Sequence, residues 1–412
     1  MRREIVPAMG CTEPAAVSLC VAKASELLGR RPEQIELSLS GNIIKNAMGV
    51  GIPGTGMIGL PIATSLGAIC GKSEYGLEVL RDVDDKAIEQ GKEYIAEDRI
   101  TISHCRNAPS NLHIEVTVRG DGHYAKAVIS GAHTNFILLE KDGEQLLKKD
   151  LEASATNQSD IKLNQAMVYE FVMSVPLSDI EFMHEAGEMN RLAAIEGNSK
   201  DYGHSLGSTI RQYGKQFFGD TPLAHMLYLT SSACDARMGG AVVSVMSNSG
   251  SGNQGITATL PVLSYANEIG ADHETTVRAL ALSGLTSIYI KQNLGRLSAL
   301  CGCVVASTGA SAGLVYLMKG GYEQICSAIK NMVANLTGMI CDGAKPSCAL
   351  KISSGVYTAL MSALLAMQGK CVTPLEGIVC EDIDQTIRNL TSIGREAMLE
   401  TDRQVLNIMV TK

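Results

Sequence analysis

A change of hydrophobic period along the chain constrains the fold more than any other feature. Between about Leu77 and Asp150, the segments 100–105, 112–119, 123–131 and 134–140 alternate apolar and polar residues, the period of half-buried strands. Gly120-Asp121-Gly122 and Lys141-Asp142-Gly143 are hairpin-turn signals, and a charged helix over 84–96 comes first. After Gln158 the chain reads as helix after helix, with glycine-rich breaks near 249–255, 302–313 and 319–321. The two textures predict an α+β protein. A large, mainly helical domain is expected from residues 1–76 and 151–412, and a smaller inserted α+β lobe with an antiparallel sheet from residues 77–150.

The first 76 residues carry punctuation of their own. Residues 14–28 predict a helix with Pro14 in its first turn, ending at Gly29. A short strand is expected over 34–40, where Ile35, Leu37 and Leu39 alternate with polar residues. A glycine-rich loop, Gly49 to Gly59, leads into an apolar helix that runs up to Gly71.

A chain of 412 residues exceeds what one simple core supports, in line with two bodies. Its net charge of −8 and the lack of long basic runs argue against nucleic acid as a partner. Twelve widely spaced cysteines do not resemble a secreted disulfide scaffold, and the start Met-Arg-Arg-Glu-Ile-Val-Pro has no apolar signal core. Reduced thiols and a cytoplasmic location are therefore expected. Leu297 to Met318 is 22 residues without a formal charge, but small and hydroxylated residues are as common there as Leu and Val. A buried helix or helix pair is expected, not a membrane span.

Three thiols carry the strongest chemical signal. Cys341 and Cys348 flank Asp-Gly-Ala-Lys-Pro-Ser, a composition that favours a loop able to bend two thiolates together. Cys301, in Cys301-Gly302-Cys303, arrives from forty residues earlier. Three thiolates would hold three irons of a [4Fe–4S] cluster and leave the fourth open as a Lewis acid. Cys303 is a conceivable ligand in place of Cys301, and zinc remains an alternative metal although no Cys-x-x-Cys knuckle occurs. Cys20, Cys234, Cys326, Cys371 and Cys380 lie in or beside apolar or helical text and read as small core residues.

Other motifs are weaker. G-x-G-x-x-G occurs at 49–54, 54–59 and 250–255, a weak signal in a chain with 41 glycines, and the stretch ahead of Gly49 is not a convincing buried strand, so a dinucleotide site is rejected. Ser247 to Gly255 is dense in hydroxyl and amide donors ahead of an apolar helix, which suits either a carboxylate or an ordinary capped turn. Cys11, in Gly10-Cys11-Thr12-Glu13-Pro14, stands at a helix entrance, where backbone dipoles favour a thiolate. His133 sits at a strand junction where it could face a ligand.

The Gly10–Pro14 segment, Asn248-Ser249-Gly250-Ser251-Gly252-Asn253-Gln254-Gly255 and the Cys301, Cys341, Cys348 set together resemble the L-cysteine desulfidase family. That family is related to the α-chain of iron–sulfur L-serine dehydratases, and the resemblance runs over essentially the whole chain. Family sequences carry further residues ahead of the Gly-Cys-Thr-Glu-Pro segment, whereas nine precede Gly10 here. The resemblance implies a largely helical cluster domain with a smaller α+β lobe. It also implies that Cys301, Cys341 and Cys348 hold a [4Fe–4S] cluster and that Cys11 removes the Cα proton.

The expected reaction is β-elimination of hydrogen sulfide from L-cysteine, giving pyruvate and ammonia, by an iron–sulfur-dependent carbon–sulfur lyase. Asn248, Ser249, Asn253, Gln254 and His133 are the expected substrate contacts, with Asn253 and Gln254 anchoring the carboxylate. The expected partner is the small amino acid, with no membrane and with a homodimer possible. Three alternatives stand beside it. One is an iron–sulfur L-serine dehydratase, and another is pyridoxal phosphate chemistry on Lys45 or Lys351, which leaves the cysteine trio unexplained. The third is a non-catalytic iron–sulfur sensor.

Overall fold

A computed structural model describes residues 1–150, 161–295 and 298–411. It contains two compact units. One comprises Met1–Ala8, Ile161–Asp342 and Pro346–Val405; the other comprises Met9–Asp160, Gly343–Lys345 and Leu406–Lys412. The beginning of the expected helical run, 151–160, lies outside the described residues, as does Leu297.

The smaller unit is built on a six-stranded sheet. Its spatial order is Ile100–His104, Gln34–Leu39, His113–Gly120, His123–Ser130, Phe136–Lys141 and Glu144–Lys148. The expectation of an antiparallel sheet needs correction, because the sheet is mixed. Gln34–Leu39 runs parallel to Ile100–His104 and antiparallel to His113–Gly120. The parallel pair requires a long crossover, and the intervening helices supply it. Both tight turns use an Asp-Gly pair at positive φ, Asp121 (53°) with Gly122 (77°) and Asp142 (48°) with Gly143 (86°). That geometry matches the twist of the flanking strands.

Helix Thr12–Leu28 packs on strands His113–Gly120 and His123–Ser130, burying Ala16, Leu19, Cys20 and Ala24 with Ile35, Leu37, Ile114 and Val116. It ends at Gly29, whose φ of 81° is the left-handed stop that its sequence suggests. Helix Leu60–Ile69 lies against it, and Ser18 Oγ donates to the Ala63 carbonyl at 2.8 Å. The Asn-Ile-Ile-Lys stretch ahead of the glycine-rich loop is the short helix Gly41–Ala47 rather than a strand.

The larger unit is helical apart from very short pairings. Helix Gly302–Leu317 packs against His273–Leu294, Gly252–Glu268, Cys348–Met367 and Tyr322–Leu336, and almost all of its side chains are buried. The expected break at 302–313 is therefore wrong, since its glycines lie inside a helix. Their lack of a side chain serves close packing: a Cβ on Gly309 would collide with the Ser283 carbonyl. Among the described residues one helix, Cys348–Met367, is long and apolar enough to cross a membrane, and half of its apolar window is buried in the fold.

Candidate functional site

The entrance of helix Thr12–Leu28 gathers three candidate side chains of the smaller unit. Gly10 turns the chain into the helix at φ 64°, and a Cβ there would lie 2.8 Å from Pro53 Cγ, so both conformation and space call for glycine. Cys11 then occupies the N-cap position in an extended conformation. Its thiol is buried, 2.9 Å from Glu13 Oε2 and 3.9 Å from the Asn46 carbonyl. Thr12 Oγ1 donates to the same carboxylate oxygen at 3.1 Å, while Glu13 Oε1 faces His133 Nε2 at 4.0 Å. A thiol, a carboxylate and an imidazole thus stand in sequence at the positive end of a 17-residue helix. Of the residues expected to act, Cys11 and His133 belong to this group. Glu13 was visible only as part of the motif.

The larger unit holds the other expected contacts. Ser251 Oγ caps helix Gly252–Glu268 by accepting from the Gln254 amide, and Ser249 (φ 50°) with Gly250 (φ 81°) forms the tight turn before it. Asn248 is committed to the fold. Its Nδ2 donates to the Gly284 carbonyl at 3.0 Å, and its Oδ1 accepts from Ser249 Oγ at 2.9 Å. Asn253 Oδ1 accepts from Arg237 Nη1 at 3.0 Å. The Gln254 side chain lies against Gly302, where a Cβ would sit 3.1 Å from Gln254 Cγ.

Cys301 and Cys341 are brought onto paired segments of this unit. The Cys301 amide donates to the Met339 carbonyl at 3.0 Å, and the Cys341 amide to the Ala299 carbonyl at 2.6 Å. Cys301 is the N-cap of helix Gly302–Leu317, and Cys348 is the first residue of helix Cys348–Met367. Burial first, then the neighbouring Cys341 thiol, pushes the Cys301 thiol up to about 12. Cys303 is fully engaged in packing, with its thiol 3.0 Å from the Lys351 carbonyl.

These thiols are neighbours without being a ligand set. Among the described residues no three His, Cys, Asp or Glu side chains are grouped so that they could hold a metal ion. The expected [4Fe–4S] cluster on Cys301, Cys341 and Cys348 is thereby corrected, and so is the iron–sulfur dependence drawn from it. The loop has a different closure. Lys351 Nζ donates to the Ile340 carbonyl at 2.8 Å and pairs with Asp342, so an ammonium group draws the segment together beside Cys341. Burial lowers the basicity of that amine, but the Asp342 carboxylate outweighs it and holds the amine protonated, which opposes a Schiff-base role.

Comparison with known proteins places these features in a family. The serine dehydratase alpha chain family model matches residues 74–407. The chain belongs to that family. A UPF0597 protein of Bacteroides fragilis is 56% identical over the whole of this chain and 97% of its own length. One from Bacteroides thetaiotaomicron is also 56% identical, over the whole of this chain and 96% of its own. A UPF0597 protein of Shewanella halifaxensis is 44% identical, again over the whole chain and 97% of its own. The chain is thus a member of the UPF0597 group related to serine dehydratase alpha chains, and none of these names carries a cysteine-desulfidase activity.

Proposed function

We propose that the protein is a lyase that eliminates the β-substituent of a small amino acid, with L-cysteine as substrate and Cys11 as the base. The observation that carries this reading is the buried Cys11 thiol, 2.9 Å from Glu13 Oε2 at the start of a helix. Cys11 reacts as the thiolate, which the helix N-terminus favours. The thiolate removes the Cα proton, the Cβ–S bond breaks with its electron pair on sulfur, and 2-aminoacrylate and hydrosulfide leave. Water converts 2-aminoacrylate to pyruvate and ammonia. His133, facing the other oxygen of Glu13, positions that carboxylate.

A second reading, elimination of water from L-serine by the same base, is favoured by the matching family's description as a serine dehydratase alpha chain. One assay separates the two. Purified protein is given L-cysteine or L-serine, and pyruvate, ammonia and sulfide are measured beside exchange of the Cα proton with solvent deuterium. Sulfide and pyruvate in equal amounts from L-cysteine support the first reading, and faster pyruvate formation from L-serine supports the second. No product and no Cα exchange with either amino acid would remove the lyase reading.

A further inference from the structure

Arg237, near the end of helix Pro222–Met238, is 4% exposed. Its guanidinium is held from one side. Nη1 donates to Asn253 Oδ1 at 3.0 Å and lies 4.0 Å from Met238 Sδ, while the buried Nε has no hydrogen-bond partner. Among the described residues no carboxylate pairs with it. Asp235, two positions earlier, instead accepts from the Gly207 amide at 2.9 Å. A buried guanidinium N–H without an acceptor is unfavourable, so a group in this state points to a missing acceptor.

The surroundings indicate which acceptor. A Cβ on Gly252 would collide with Arg237 Nε and lie 2.7 Å from its Cζ, so the guanidinium rests on the first residue of helix Gly252–Glu268. The first turn of a helix of 17 residues presents amides that attract anions. Gln254, two residues further on and 3% exposed, brings the complementary feature, a buried Oε1 without a partner. The guanidinium against Gly252 and the Gln254 side chain of the same first turn thus bring an unpaired Nε–H donor and an unpaired neutral acceptor to one helix start. A carboxylate and an ammonium on one carbon supply that pair.

We propose that Arg237 and Gln254 form the receptor for the α-carboxylate and α-ammonium groups of an amino acid. The Nε–Nη2 edge of Arg237 takes the carboxylate as a two-pronged partner, and Gln254 Oε1 takes the ammonium group. Gly252 is the residue that leaves room for the guanidinium. The assignment rests on the reading that the ligand is a small amino acid, and it gives Gln254 the opposite end of the ligand from the carboxylate expected of it in sequence.

The test is calorimetric titration of the full chain with L-alanine, which has no β leaving group, and with its two halves, propanoate and ethylamine. Wild-type protein should bind L-alanine more tightly than either half. Arg237→Gln should weaken L-alanine and propanoate roughly 10- to 100-fold and leave ethylamine unchanged. Gln254→Leu should weaken L-alanine and ethylamine and spare propanoate, and Gly252→Ala should behave like Arg237→Gln. Circular dichroism identifies a variant that has not folded, and the wild-type comparison stands without any variant. Wild-type protein that fails to bind L-alanine, or that binds it no better than ethylamine, overturns the proposal. This binding pattern without turnover of L-cysteine or L-serine would overturn the lyase reading and leave the receptor standing.

Discussion

Cys11, Cys301 and Cys348 all stand at helix starts, and the Cys11 thiol lies against a carboxylate. That pairing makes Cys11 the residue to change. Cys11→Ser should retain the fold and lower turnover by about 10²–10⁴-fold, since a hydroxyl is a far weaker base than a thiolate. Glu13→Gln keeps the shape and removes the carboxylate that faces the Cys11 thiol, so its turnover should fall as well. Steady-state rates and Cα deuterium exchange check both variants, and full exchange in Cys11→Ser would take the base role away from Cys11. Cys11 was legible because a thiol just before Pro14 marks a helix start by local rules alone. Arg237 was not. In Ser-Ser-Ala-Cys-Asp-Ala-Arg-Met its charge looks like an ordinary surface charge, and only packing shows that both Asp235 and Arg237 are buried. The cysteine trio failed in the other direction, since spacing suggests a ligand set but does not fix where side chains converge.

Elements show where short-range rules suffice and where tertiary packing overrides them. The Asp-Gly turns and Gly29 were readable because each depends on a left-handed backbone position that few residues tolerate. The parallel pairing of Gln34–Leu39 was not, because its partner lies more than sixty residues along the chain. Glycine was misread at 302–313 because the same residue that breaks an isolated helix lets two packed helices approach. The same logic applies at Gly207 in helix Leu206–Phe218. There a Cβ would collide with Ser232 Oγ and sit 2.5 Å from the Ser232 amide nitrogen, so Gly207→Ala should destabilise the protein by about 1–3 kcal/mol in urea unfolding. In the sheet, Glu115 sits beside His113 and Lys126, and its carboxyl is held down to about 2, with the His113 contact the largest cause. A depressed carboxylate stabilises the fold above its ordinary value of 4.5, and that contribution is lost as pH falls through about 2. Glu115→Gln should therefore lower Tm at pH 7, and the gap from wild type should close between pH 4.5 and pH 2. A gap that stays constant over that range would remove Glu115 from the stability balance.

At the scale of the whole chain, two cores form by different means. The smaller unit buries a continuous cluster between its sheet and helix Thr12–Leu28, dominated by Ile, Leu and Val. The larger unit packs helices through small residues such as Ser283, Gly309 and Gly313, and its central helix Gly302–Leu317 carries no formal charge. Each core buries its own apolar cluster and so has its own stability, and heat should not affect the two alike. Neither unit is one continuous segment, since each is assembled from three stretches of the chain. Scanning calorimetry should accordingly give overlapping transitions, with a calorimetric enthalpy larger than the van't Hoff enthalpy. Gly207→Ala should shift the component that belongs to the helical unit, and Glu115→Gln at pH 7 the component that belongs to the sheet unit. A single transition with equal enthalpies, moved as a whole by either substitution, would mean that the two cores melt as one cooperative body.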